Sequence, residues 1–470
     1  MQLRLASFGL RGFIGESFTP KVMMDFASAY ATFTDGGTIF IARDTRDSSP
    51  MMATAVTTGL LAAGCNVIDF GICPTPILQH RIAASALPIA GAVSISGGHT
   101  GMGWNAISLI GPDGAFLPPS SGGNVLDFYH GGDFLRATWE SIGSLQTSAE
   151  YARSLSDSDN EQPEPSFSTP YFDALENLVD TEAIRKQDFT VVIDPVGGSG
   201  CGFIAEFAER LGFRLIPVNA EPSGYLPREP EPRPRSALPI ASMIQHVGGD
   251  VGFVLSSDMG RLSLVSETGE PFSEECTLPI LVDHLTTAQK GVVVTNTCTT
   301  RTIDDIAAAR NCRVVKTPVG QASIVAALCD EDGLIGGEGN GSACIPTFSR
   351  GFDGFAMMAI VLEAMALNAT DGLDALVHRL PLYHISKRRV YGAEGGTYQQ
   401  LERLSESLYA DPEGGEISHI DGIRVDWEDG WIHIRMSKTE QMIRVISEAR
   451  EMETARTRRD KIIQLLNRLR

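Results

Sequence analysis

Four loops hold most of the side chains in this chain that could do chemistry. SISGGHTGMGWNA, from Ser94, is glycine-rich, with hydroxyls at Ser94, Ser96 and Thr100 and an imidazole at His99. Glycine lets a backbone approach a phosphate closely. VLSSDMGR, from Val254, carries one carboxylate, Asp258, and a cation, Arg261. GGEGNGS, from Gly336, sets Glu338 and Asn340 among glycines, where a carboxylate and an amide could hydrogen-bond sugar hydroxyls. RMSKTEQMIR offers Arg435, Ser437, Lys438, Thr439 and Arg444 within ten residues. That density of donors suits a phosphate monoester. Each loop also has a plainer reading, as a tight turn or a solvated surface.

Two other patterns carry less. GGSGCG, from Gly197, follows an apolar run but is out of register with G-x-G-x-x-G, which argues against dinucleotide binding. No G-x-S-x-G elbow accompanies the scattered Ser, His and Asp residues, which argues against a hydrolase triad.

The elements that must position these loops follow from hydrophobic rhythm. TIFIARDTRDSSP, TVVIDPVGGSG and KGVVVTNTCTTR each run from apolar, β-rich sequence into a polar loop and then a helical stretch. Helix–turn–strand units follow: GLLAAGCNVIDFG, ERLGFRLIPVN and ARNCRVVKTPVG, the last containing Lys316, a further candidate substrate-binding cation. Apolar strands alternating with helices predict parallel sheets covered on both faces, with ligands at the strands' carboxyl ends. In the last hundred residues, GIRVDWEDGWIHIRMS alternates around a Glu-Asp-Gly turn, a hairpin signal, before helical periodicity runs to the end. The expected fold is three similar α/β domains with mixed, mostly parallel sheets plus a C-terminal α+β domain, around a central cleft. Boundaries are expected near Ser154, in a polar, Pro-rich linker running to Pro170, and near Pro271 and Pro381.

Composition narrows the partners. At 470 residues and 43% hydrophobic, the chain exceeds what one core usually organises. A net charge of -20 and no long Lys/Arg run argue against nucleic acid. An anionic ligand therefore needs local Arg, Lys and backbone donors. No run is apolar enough to span a bilayer and the start shows no signal peptide, so a cytoplasmic protein is expected. The eight cysteines form no C-x-x-C pair and read as reduced thiols.

In combination and in order, these segments resemble the α-D-phosphohexomutases, which include phosphomannomutase, phosphoglucomutase and phosphoglucosamine mutase. GLRGFIGESFTP resembles the family's G-I-R-G segment, ARDTRDSSP its G-R-D-T-R-x-S-S-P, and FGICPTP its G-x-x-P-T-P. NAEPSGYLPREPEP resembles its Pro-rich segment, GGEGNGS with RGFDG a branch carrying G-G-E-x-N-G-G and G-R-D-G, and RMSKTEQMIR its phosphate loop. The resemblance implies transfer of a phosphoryl group between O1 and O6 of mannose or glucose phosphate. A hexose 1,6-bisphosphate acts as primer, with a phosphoserine and a Mg²⁺ held by three aspartates.

Two departures stand out. With Trp104-Asn105-Ala106 matched to the family's Y-N-G, His99 falls on the motif histidine and Gly98 on the phosphoserine. Ser256 and Gly260 replace the outer two aspartates, leaving Asp258 as a weak metal ligand. The resemblance still places Arg11 in the catalytic set. It places Glu338, Asn340, Ser342, Arg435, Ser437, Lys438, Thr439, Arg444 and Arg261 among substrate-binding residues, and leaves Ser96 or Thr100 as the substitute nucleophile, Ser96 being the first candidate. Arg261, relieved of a full carboxylate cluster, is expected to pair with Asp258 or with substrate phosphate. Three readings follow: a mutase, a hexose-phosphate-binding or regulatory protein without turnover, and hydrolytic chemistry in the same site.

Overall fold

The apolar runs become strands that end at the polar loops. A computed structural model describes residues 3–469 except Ser7, Ala86 and the segments 156–165, 369–371, 392–396, 411–414 and 438–441. Lys438, Thr439 and most of the Ser154–Pro170 linker therefore lie outside the described residues. The chain divides into two compact units, residues 1–277 with 340–376, and residues 278–339 with 377–470.

The first unit holds two sheets. In one, the parallel strands Ile89–Ile95, Thr38–Arg43, Asn66–Ile72 and Leu145–Thr147 are extended by the antiparallel strands Trp104–Ile110, Gly9–Phe13 and Arg4–Ala6. Its β-branched and aromatic strand residues bury against the helices Pro20–Phe33 and Ser49–Ala62, with Phe26, Tyr30, Ile39, Ile41, Val56 and Val93 in one core. In the other, Val251–Leu255, Thr190–Asp194 and Arg214–Pro217 run parallel, and Leu262–Ser266 returns antiparallel along one edge. RGFDG sits at a helix start. Asp353 caps the buried helix Gly354–Leu367 by accepting from the Phe355 and Ala356 N–H groups, and Tyr171 donates to the same carboxylate. Burial lifts the Asp353 carboxyl to about 6.

The second unit holds the parallel strands Arg313–Thr317, Val292–Asn296 and Ile335–Glu338. It also holds a five-stranded antiparallel sheet in the order His384–Tyr391, Met442–Ala449, Gly430–Met436, Ile423–Trp427, Glu416–Ser418. The helices Thr397–Ala410 and Met452–Arg468 cover one face, where Val390, Ile434, Ile443 and Val445 pack with Leu404, Ile462 and Leu466. The strands' period of two turns Arg389, Arg444 and Arg435 to the opposite face. All eight cysteines are free thiols, and no helix among the described residues is long and apolar enough to cross a membrane. We keep the domain boundaries near Ser154, Pro271 and Pro381 as a proposal, supported by sheets that each draw their strands from one side of every boundary.

Candidate functional site

In the first unit a buried carboxylate organises the glycine-rich loop. Asp44, just past the strand Thr38–Arg43, accepts from the Ser96 hydroxyl at 2.9 Å, the Gly97 N–H at 3.2 Å and the Ser49 hydroxyl, and pairs with Arg46. Ser96 in turn accepts the Gly98 N–H at 3.1 Å. Arg46 is 1% exposed, and its Nη2 donates to the carbonyls of Gly98 at 3.2 Å and Thr100 at 2.6 Å. Ser257 donates to the Gly98 carbonyl at 2.8 Å. Asn105 hydrogen-bonds Ser48 and Ser49, tying the far end of the loop to the same cluster. GGSGCG has a structural use here, since Ser199 donates to the Ser257 carbonyl through both its N–H and its hydroxyl.

Held in this way, Gly98 adopts a left-handed backbone, φ 54°. A Cβ built on it would lie 2.8 Å from Oδ2 of Asp258, so residue 98 and the Asp258 turn face each other directly. Asp258 Oδ1 already accepts from the Ser256 hydroxyl at 2.5 Å and the Gly260 N–H at 3.2 Å. Arg261 departs from expectation. It pairs with Glu231 at 3.0 Å, not with Asp258, and Arg233 shares that glutamate. The Pro-rich segment supplies this counter-charge, which lies outside the Asp258 loop itself.

Arg11 lies on the strand Gly9–Phe13 opposite Ala106. Its pKa is lowered, first by burial and then by Arg261, against a raising influence from Asp258. His99 is held well below the ordinary histidine range by burial, then by Arg261, Arg11, Arg233 and Arg46, so the imidazole is neutral near pH 7. This surrounding is dominated by guanidinium groups, which favour an anion and repel a divalent cation. Mg²⁺ asks for about six oxygens in octahedral geometry. Ser256, Asp258 and Gly260 provide one carboxylate, already engaged by two donors on Oδ1. These residues do not fit the ion.

In the second unit Glu338 ends the strand Ile335–Glu338, and its Oε1 accepts from Asn296 at 2.9 Å and from the Gly320 N–H at 2.8 Å. The neighbouring Val319 N–H donates to Asp421 at 3.0 Å, and the Asp421 carbonyl meets His433 Nε2 at 2.6 Å. Arg435 stands two residues beyond His433 on the strand Gly430–Met436. A continuous hydrogen-bonded path thus fixes the Glu338 loop against the arginine-bearing strand. Arg435 is 8% exposed, its Nε has no hydrogen-bond partner among the described residues, and it lies directly across from Arg444. Ser437 closes the hairpin through its N–H to the Met442 carbonyl at 2.8 Å. Lys316 is committed to Asp304 at 2.8 Å, with its pKa lowered chiefly by burial. Asn340 and Ser342 belong to the first unit, where the Ser342 hydroxyl donates to Asn340 at 2.7 Å.

Burial holds the fully buried His433 at about 4. A neutral histidine in the fold and a titratable one when unfolded give stability that is complete above about pH 6.5 and falls as pH drops toward 4. Between pH 7 and 5.5 His433 is expected to account for about 1 kcal/mol of lost stability. Urea unfolding at the two pH values should show a loss smaller by that amount in His433→Gln. An identical loss in the variant would contradict this.

The fold is three α/β sheets and an antiparallel fourth, with polar loops at strand ends. Residues 5–135, 169–269 and 274–383 match, respectively, the α/β/α domains I, II and III of phosphoglucomutase/phosphomannomutase. A phosphoglucomutase/phosphomannomutase from Thermococcus kodakarensis is 31% identical, over 98% of this chain and 97% of the relative. A probable phosphoglucosamine mutase from Pyrococcus abyssi is 28% identical, over 97% and 96%. A phosphoglucomutase/phosphomannomutase family structure from Burkholderia thailandensis superposes with a TM-score of 0.83 at 20% identity, over 98% of this chain and 96% of that one. For a phosphomannomutase-type structure from Thermus thermophilus the TM-score is 0.79 at 21% identity, over 99% of both chains. The chain belongs to the phosphoglucomutase/phosphomannomutase family.

Proposed function

We propose that this protein binds a hexose phosphate and works as a phosphohexomutase, with the nominal reaction a transfer of phosphate between O1 and O6 of glucose or mannose phosphate. The observation that carries this reading is the cross-strand pair Arg435–Arg444 beside Ser437, fixed to the Glu338 loop. Two guanidinium groups directly opposite each other on a sheet can grip one anion from two sides. Arg435, Arg444 and Ser437, with Lys438 and Thr439, hold the non-reacting phosphate. Glu338 and Asn340 meet sugar hydroxyls, and glucosamine phosphate is the alternative substrate. In the first unit Arg11 and Arg261 offset charge on the phosphoryl group. Ser96 is the hydroxyl that would accept it, with its proton already directed at Asp44. A hexose 1,6-bisphosphate serves as primer, and Mg²⁺ is weakly held or dispensable.

A second reading, a hexose-phosphate-binding protein without turnover, is favoured by Gly98 and the lone Asp258. One experiment separates the two. Purified protein is given glucose or mannose 1-phosphate with the matching 1,6-bisphosphate, and 6-phosphate formation is followed. Turnover abolished in Ser96→Ala supports the mutase reading with Ser96 as acceptor. Turnover unaffected by Ser96→Ala contradicts that assignment. Saturable binding without turnover supports the second reading, and absence of binding contradicts both.

A further inference from the structure

The outer strand of the C-terminal sheet adds a third arginine to the row of Arg435 and Arg444. Register fixes its place: Arg389 pairs directly across from Arg444, which pairs directly across from Arg435. Neighbouring strands lie about 4.8 Å apart, so the three Cα atoms span roughly 10 Å on one face of the sheet. The face is not covered by the helices Thr397–Ala410 and Met452–Arg468, whose core takes the alternate residues Val390, Ile443 and Ile434. Exposure grades along the row, with Arg435 buried, Arg444 half-buried and Arg389 exposed. The Arg389 side chain makes no hydrogen bond or ion pair among the described residues.

A phosphate monoester carries about two negative charges, which Arg435 and Arg444 alone can match. The third guanidinium exceeds that need. Its direction is also informative. Arg435 is the member nearest the Asp421 contact and hence the Glu338 loop, while Arg389 stands on the opposite edge strand. A ligand with its sugar toward Glu338 and its phosphate on Arg435 and Arg444 would present to Arg389 whatever lies on the far side of that phosphate. An edge strand often carries a charge merely to deter pairing. That role would not require Arg389 to fall in register with two other arginines on the ligand-facing side.

We propose that Arg389 extends the phosphate site to a second, adjacent phosphoryl group, so that this face binds diphosphates in preference to monophosphates. The inference rests on the reading of Arg435 and Arg444 as a phosphate site. The probes are inorganic pyrophosphate and inorganic phosphate, titrated calorimetrically into the full-length protein with EDTA at fixed ionic strength. Pyrophosphate is expected to bind about tenfold more tightly than phosphate, the effect of one added charge-assisted contact. Arg389→Gln should remove most of that preference and leave phosphate affinity within about twofold. Equal affinities in the wild type, or a preference that survives Arg389→Gln, would overturn the proposal while leaving the monophosphate site standing. Phosphate affinity unchanged by Arg444→Ala would remove the underlying reading, and the extension with it.

Discussion

Gly98→Ser combined with Ser256→Asp and Gly260→Asp is expected to give a protein whose mutase turnover depends on a divalent cation and exceeds that of the wild type by on the order of a hundredfold or more. The direction of the missing Cβ supports this. A side chain at residue 98 would meet Asp258 at 2.8 Å, where a phosphorylated hydroxyl and a metal-holding carboxylate would have to converge. Residue 260 has room, since its added Cβ would find nothing nearer than Asp258 at 3.5 Å, an ordinary contact. Position 256 must still accept the Arg261 N–H, and an aspartate can do so. The cost lies at residue 98, whose left-handed backbone penalises a serine by roughly 1–2 kcal/mol, and in Asp258, which must rotate to admit it. The serine alone is expected to do little, because its phosphate would face a single carboxylate and no ion. Activity with Mg²⁺ and with EDTA checks the outcome. A triple variant as insensitive to EDTA as the wild type would count against the placement of these two loops.

The second large effect is expected at Arg444. Arg444→Ala should weaken hexose 6-phosphate binding by about 1.5–3 kcal/mol, the range for a hydrogen bond to a charged group, or roughly tenfold to 150-fold. Part of that loss comes from Arg435. With its neighbour removed, its buried guanidinium holds the phosphate from one side. Arg444 lies on a strand whose packing face is formed by Ile443 and Val445, so the fold should survive the change. Calorimetry with glucose 6-phosphate tests this, and an affinity unchanged from wild type would refute the assignment.

Much of this arrangement was legible in the sequence because the relevant signals are local. Apolar runs ending in Gly98, Asp258 and Glu338 loops read directly as strand ends, and the Glu-Asp-Gly turn marked the hairpin Ile423–Trp427 with Gly430–Met436. What escaped depended on long-range pairing. Arg389 precedes Arg444 by over fifty residues, and only the sheet register sets them side by side. The clamp of Arg46 and Ser257 on the Gly98 carbonyl likewise joins three separate segments. ARDTRDSSP signalled the first of these, though not its partner. Arg261 was misdirected toward Asp258 because the competing carboxylate, Glu231, sits thirty residues upstream in the Pro-rich segment. Lys316 stood out as a cation at a strand end, but a nearby helix supplies Asp304 to engage it.

This family member is expected to hold a hexose phosphate through its own cations and hydroxyls, without a phosphate on residue 98 or a resident Mg²⁺. The most direct measurement is a calorimetric titration of glucose 6-phosphate and mannose 6-phosphate into the wild-type protein, first with EDTA and then with excess Mg²⁺. Saturable binding of at least one of them, with the same affinity in both buffers, is the expected result. Binding that appears only when Mg²⁺ is supplied, or no binding in either buffer, would contradict it.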